Sequence, residues 1–108
     1  LGSDVSGGHT MNMFEIARSA IDSSKHVNSE SSSDGDYMTV SNAFHLATKG
    51  GGSFFGKTGS FEKGYHFDAL VIDDSVLQEN SLKSLSLSQR IERLIYMGSN
   101  DLIIKRYR

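Results

Sequence analysis

The chain has 108 residues, enough for one modest domain but too few for two, or for a complete (β/α)8 barrel of about 250 residues. With 11 Lys and Arg against 13 Asp and Glu, the net charge is −2, which leaves no electrostatic footprint for nucleic acid or an anionic membrane. The absence of cysteine removes disulfides and thiolate metal sites, and no apolar run nears the roughly 20 residues of a membrane span.

The chain opens with Leu1-Gly2-Ser3-Asp4-Val5-Ser6-Gly7-Gly8-His9-Thr10, which reads as a strand end followed by a small-residue turn. Glycines let the backbone approach a metal or ligand closely, so the carboxylate of Asp4 is placed to lean over a pocket. The competing reading is local, because an Asp in a Gly/Ser-rich stretch is commonly a turn former. Met13, Phe14, Ala17, Ala20 and Ile21 then recur with helical spacing and predict a first helix over about 12–26. Asn12 with Glu15 three residues on is the start signal, and Glu15 and Arg18 are spaced to form a solvated pair. His26 would end this helix, where a cation suits the C-terminal dipole.

Residues 28–38 hold little to bury and predict a mobile connection. Thr39 offers a cap for a second helix over about 40–49, with Val40, Ala43, Phe44 and Ala47 on one face and a stop at Gly50–Gly52. Gly51 to Thr58 then match the G-x-x-x-x-G-K-[ST] pattern of a phosphate-binding loop. Context rejects that reading. Such a loop needs a strand before it and a helix N-terminus after it, whereas here a helix precedes and a β-like Ser60-Phe61 follows. Phe54 and Phe55 are expected to pack.

Two strands follow, near 59–61 and 67–72, with Glu62-Lys63-Gly64 as their turn; the second is apolar on both faces after Asp68 and so should be buried. Asp68 is read as structural, bonding that turn. Asp73 and Asp74, being adjacent, point to opposite sides and cannot act together as a catalytic pair. After a polar connection, Ser86 and Gln89 form a capping box for a third helix over 87–97, ended by Gly98. Leu102 to Tyr107 predict a last strand.

Leu1 to Gly8 with Met13 to Arg18 resemble the segment after the eighth strand in guanine deaminases of the metal-dependent amidohydrolase superfamily. The likeness continues in order through Ala43 to Gly51, Gly59 to Ile72 and Leu94 to Gly98. Ser3 stands where that family usually has Thr. The family's early His-x-His pair, two further His ligands and catalytic Glu have no counterpart here: His9, His26, His45 and His66 lack the spacing. The chain therefore resembles the C-terminal quarter of an enzyme, and an opening at Leu1 without an initiator Met fits an excised piece.

The resemblance implies an α/β fold class. Residues 1–56 would be the last βα unit of the barrel and the following helix. Residues 57–108 would be strands returning to the flanking small β-sandwich domain, with a C-terminal helix. It implies hydrolysis of guanine to xanthine and ammonia, with a divalent metal, usually zinc, lowering the pKa of water. Asp4 would be a metal ligand and would take and pass on the water's proton, and Ser6, Gly7 and Gly8 would line the substrate pocket. His9 would sit at the rim. The implied partners are the rest of the same enzyme, guanine and a second copy in a homo-oligomer, with no nucleic acid and no membrane, in the cytoplasm. By itself the chain, lacking its imidazole partners, should be inactive. Alternatives are a related deaminase or chlorohydrolase acting on another heterocycle, and a noncatalytic α/β interaction module.

Overall fold

The computed structural model describes residues 1–4, 6–31, 35–79 and 81–108. Helix α1 spans Met13–Glu30 and starts at Asn12, whose Oδ1 accepts the Phe14 N–H at 3.1 Å, satisfying one of the amides that a helix start leaves unpaired. The helix runs one turn beyond the predicted end near residue 26. The Ser29 and Ser31 hydroxyls donate to the carbonyls of His26 and Val27 at 2.7 and 3.0 Å, and His26 faces Glu30 at 3.4 Å, so the serines that suggested a loop serve the last turn. His26 thus lies inside the helix rather than at its end. Residues 32–34 of the predicted mobile connection lie outside the described residues.

Helix α2, Val40–Ala47, begins with a reciprocal capping box between Thr39 and Asn42. The chain breaks at Thr48, with φ −123° and ψ −106°, and resumes as a short helix α3, Lys49–Gly52, continued by a 3-10 turn at Ser53–Phe55. The glycines predicted to stop α2 are therefore helical themselves. Of the apolar face read for α2, Ala43 is fully buried, whereas Phe44 and Ala47 are exposed.

The hairpin predicted between 59–61 and 67–72 is half right. A turn forms at Glu62, whose carbonyl accepts the Tyr65 N–H at 3.1 Å, and the rings of Phe61 and Phe67 lie 5.9 Å apart. Only the second segment is a strand, β1, Ala69–Ile72, and its partner is the chain's last strand, β2, Ile103–Tyr107. They pair antiparallel, from Ala69 opposite Tyr107 to Ile72 opposite Ile103, with a register shift between Val71 and Ile72. Between them lie α4, Ser75–Gln78, and α5, Leu87–Met97, followed by a 3-10 turn at Asn100–Leu102.

Helix α5 has the predicted bounds because its signals are local. Ser86 and Gln89 cap each other's backbone amides, and Gly98 terminates the helix in extended conformation. A Cβ at Gly98 would overlap the Leu94 carbonyl oxygen, to which Gly98 N–H donates at 2.8 Å. Asp74 ties this helix to the end of β1: Arg90 Nε and Nη2 reach its two carboxylate oxygens at 2.7 and 2.9 Å. Asp73 turns elsewhere, its Oδ1 accepting the Ser75 N–H at 3.0 Å, so the adjacent pair diverges as expected.

The core lies where α1, α2 and α5 meet, at Ala17, Ile21, Ala43 and Ile95, with Met38, Val40 and Ile91 packed against it. It is small for the chain. The accessible surface is 7928 Å², against about 5,900 Å² for a compact protein of this mass. The radius of gyration is 15.3 Å, against about 13 Å. Much of the excess is apolar: Phe54 is 86% and Phe55 79% exposed, their rings edge to face on each other. Leu70, Val71 and Ile104 leave the β1–β2 ribbon exposed, so the predicted burial of β1 is not met within this chain, where it has one neighbouring strand. Among the described residues no helix is long and apolar enough to cross a membrane.

Candidate active site

Asp4 sits in a turn that closes on its own backbone. Its carbonyl oxygen accepts the Gly7 N–H at 2.9 Å and the Gly8 N–H as well. Asp4 itself has φ 44° and Ser6 φ 94°, conformations that cost a non-glycine residue about 1–3 kcal/mol each. The space is tight where the sequence has glycine. A Cβ at Gly7 would stand 2.9 Å from Asp4 Oδ2, and one at Gly8 would overlap the Ser3 carbonyl oxygen. The carboxylate therefore lies over Gly7, and the exposed side chains of Asp4 and Ser6 flank the same bend. Of the residues read as a site, the structure brings Asp4, Ser6, Gly7 and Gly8 into one turn.

The next residues anchor the turn to α1. Asn12 N–H donates to Thr10 Oγ1 at 3.1 Å, and Asn12 in turn caps the helix. Glu15 departs from the sequence reading. Its carboxylate faces His9, with Oε1 3.4 Å from Nε2, rather than pairing with Arg18. Arg18 reaches across the core instead, Nη1 donating at 2.5 Å to the Tyr96 carbonyl at the end of α5. The His9 contact was missed because helical spacing points Glu15 at Arg18; a histidine in the loop just before an acidic first turn was the available signal.

Among the described residues no three His, Cys, Asp or Glu side chains gather closely enough to hold an ion. Asp4 fits as one oxygen donor of a set and not as a site by itself, since catalytic centres draw on about three protein ligands. His45 and His66 lie elsewhere, both exposed, with the His45 ring packed beside Gly50. The phosphate-loop pattern has no phosphate-loop geometry, as α3 runs into its first two residues and no helix starts at Lys57 or Thr58.

Four matches to known proteins bear on the family of the chain. Residues 1–100 match the sequence model of the amidohydrolase family. The guanine deaminase of Dictyostelium discoideum is 33% identical over 107 residues, covering 93% of this chain and 23% of that protein. The guanine deaminase of Rattus norvegicus is 37% identical over 81 residues, covering 68% of this chain and 16% of the relative. The crystal structure of guanine deaminase from C. acetobutylicum, with guanine bound in its active site, superposes with a TM-score of 0.90 at 50% identity, over 99% of this chain and 25% of that one. The chain thus spans a quarter or less of the length of each of these relatives. A strained aspartate turn, a helix capped directly behind it and a sequence match running through both to residue 100 agree: the chain belongs to the amidohydrolase family.

Proposed function

We propose that the intact protein carrying this chain is a guanine deaminase, hydrolysing guanine to xanthine and ammonia. The observation that carries the reading is the 50% identity and 0.90 TM-score, over 99% of the chain, to a guanine deaminase solved with guanine in its active site. In this reading residues 1–56 are the last βα unit of a (β/α)8 barrel and the helices after it. Residues 57–108 carry strands of the small β-sandwich beside the barrel. The exposed apolar surface favours the reading over a self-contained interaction module, because it is surface that the rest of the enzyme would cover.

Asp4 is the proton carrier. Water adds to the ring carbon that bears the amino group, its proton passes to the Asp4 carboxylate, and from there it reaches the leaving nitrogen as the C–N bond breaks and ammonia departs. Asp4 also serves as one oxygen donor to a divalent metal, zinc by family resemblance, whose other ligands come from polypeptide outside this chain. When bound, that ion supplies Lewis acidity near neutral pH. Ser6, Gly7 and Gly8 shape the pocket wall through their backbone, in the turn that the two glycines allow to close tightly on Ser3 and Asp4. The working unit is cytoplasmic and a homo-oligomer.

The test uses the full-length protein, assayed on guanine, adenine, cytosine and ammeline. Guanine should be the preferred substrate, and Asp4→Asn should lower kcat by about 10²–10⁴-fold. Preference for another heterocycle would reassign the substrate. An Asp4→Ala protein that keeps its metal and its turnover would refute the site.

A further inference from the structure

The Asp4 turn and the helix behind it are joined by a side-chain pair that no motif predicts. His9 leaves the turn directly after Gly8, Glu15 occupies the first turn of α1, and His9 Nε2 lies 3.4 Å from Glu15 Oε1. The other polar contacts of this region are short-range. Gly7 and Gly8 donate back to Asp4, Asn12 N–H donates to Thr10 Oγ1, and Phe14 N–H to Asn12 Oδ1. The first pair shapes the turn and the last two fix where the helix begins. Among the ion pairs of the described residues, His9 with Glu15 is the one that links the two.

We propose that Glu15, acting through His9, is a positioning residue that sets the orientation of the Asp4 turn; this rests on the reading of Asp4 as the catalytic carboxylate. Asp4 at φ 44° and Ser6 at φ 94° occupy conformations that a free peptide leaves, so the turn depends on restraint from its surroundings. Glu15 is available for that restraint because Arg18, its neighbour on the helix, is engaged with the Tyr96 carbonyl. At 3.4 Å the pair is a charge contact between the imidazolium and the carboxylate rather than a directed hydrogen bond. With side chains 62% and 40% exposed, the pair adds little to global stability. Its effect falls on geometry, where a displacement of about 1 Å at reacting groups can cost about 100-fold in rate.

The test compares Glu15→Ala, Glu15→Gln, His9→Ala and the double alanine variant in the full-length enzyme. It reads kcat and KM for guanine together with hydrogen exchange of the peptide covering residues 1–14. Each single alanine variant should lower kcat about tenfold, leave KM within about twofold and speed exchange at the turn. The double variant should be no worse than either single, and Glu15→Gln, which removes the charge while keeping the shape, should lose about as much as Glu15→Ala. Unchanged kcat or exchange in Glu15→Ala, or losses that multiply in the double variant, would overturn the proposal. Asp4→Ala run alongside separates the two ideas: an active Asp4→Ala protein with fast exchange in Glu15→Ala would sink the catalytic assignment and leave the strut standing.

Discussion

Asp4 and Gly7 are in contact twice over. The Asp4 carbonyl accepts the Gly7 N–H at 2.9 Å, and the Asp4 carboxylate occupies the space beside Gly7 where any other residue would place its Cβ, with Oδ2 2.9 Å from that point. The adjoining Gly8 is tighter still, its missing Cβ facing the Ser3 carbonyl oxygen. Gly8→Ala in the full-length enzyme should therefore displace the backbone carrying Asp4. We expect kcat to fall by about 100-fold with the protein still folded, as judged by unchanged far-UV circular dichroism. Wild-type kinetics in that variant would mean that the turn has slack that the geometry denies.

Asp74 is the second carboxylate whose environment has a measurable consequence. Its side chain is 14% exposed, and hydrogen bonds from Arg90 hold its pKa below the ordinary value of 3.8. A carboxyl whose folded pKa is depressed adds stability above its unfolded value and loses it as pH falls through the folded one. Asp74→Asn should thus be less resistant to denaturant than wild type at pH 7. The difference between the two proteins should shrink as the pH is taken below about 3.8. Denaturant midpoints measured across that range check the sign, and a gap that widens toward acid would contradict it.

Ile21, 1% exposed, is the largest fully buried side chain among the described residues and touches the junction of the three main helices. Truncating it to alanine should cost about 2–5 kcal/mol, a large part of a typical folding free energy of about 5–15 kcal/mol. Leu82, with no measurable burial, is the control: Leu82→Ala should change the denaturation midpoint little unless the rest of the enzyme covers it.

The isolated 108-residue chain should show no deaminase activity at any added zinc concentration, because one carboxylate does not make a donor set. Its exposed Phe54, Phe55, Phe61 and Phe67 should bind a hydrophobic dye and drive concentration-dependent association, readable by light scattering. Guanine turnover by the purified chain alone would overturn the assignment of the missing ligands to other polypeptide.

Local chemistry was legible from sequence. Ser86 with Gln89 caps α5 as read, and Thr39 and Asn12 begin α2 and α1 as read, although Asn12 accepts the Phe14 N–H and forms no reciprocal pair with Glu15. The small-residue turn at Gly7 and Gly8 was legible for the same reason, but the strand end expected before it is absent at residues 1–4, and Asp4 lies in the turn itself. Partners distant in sequence were not. β1 pairs with Ile103–Tyr107 rather than with the nearer Ser60-Phe61, Arg18 bonds a carbonyl 78 residues away, and Glu15 turns back to His9. Each of those choices depends on which surfaces the folded helices bring together, and period or propensity carries no information about that. The same holds for Phe54 and Phe55: their apolar character is written in the chain, but whether they are buried is decided by whatever packs against them.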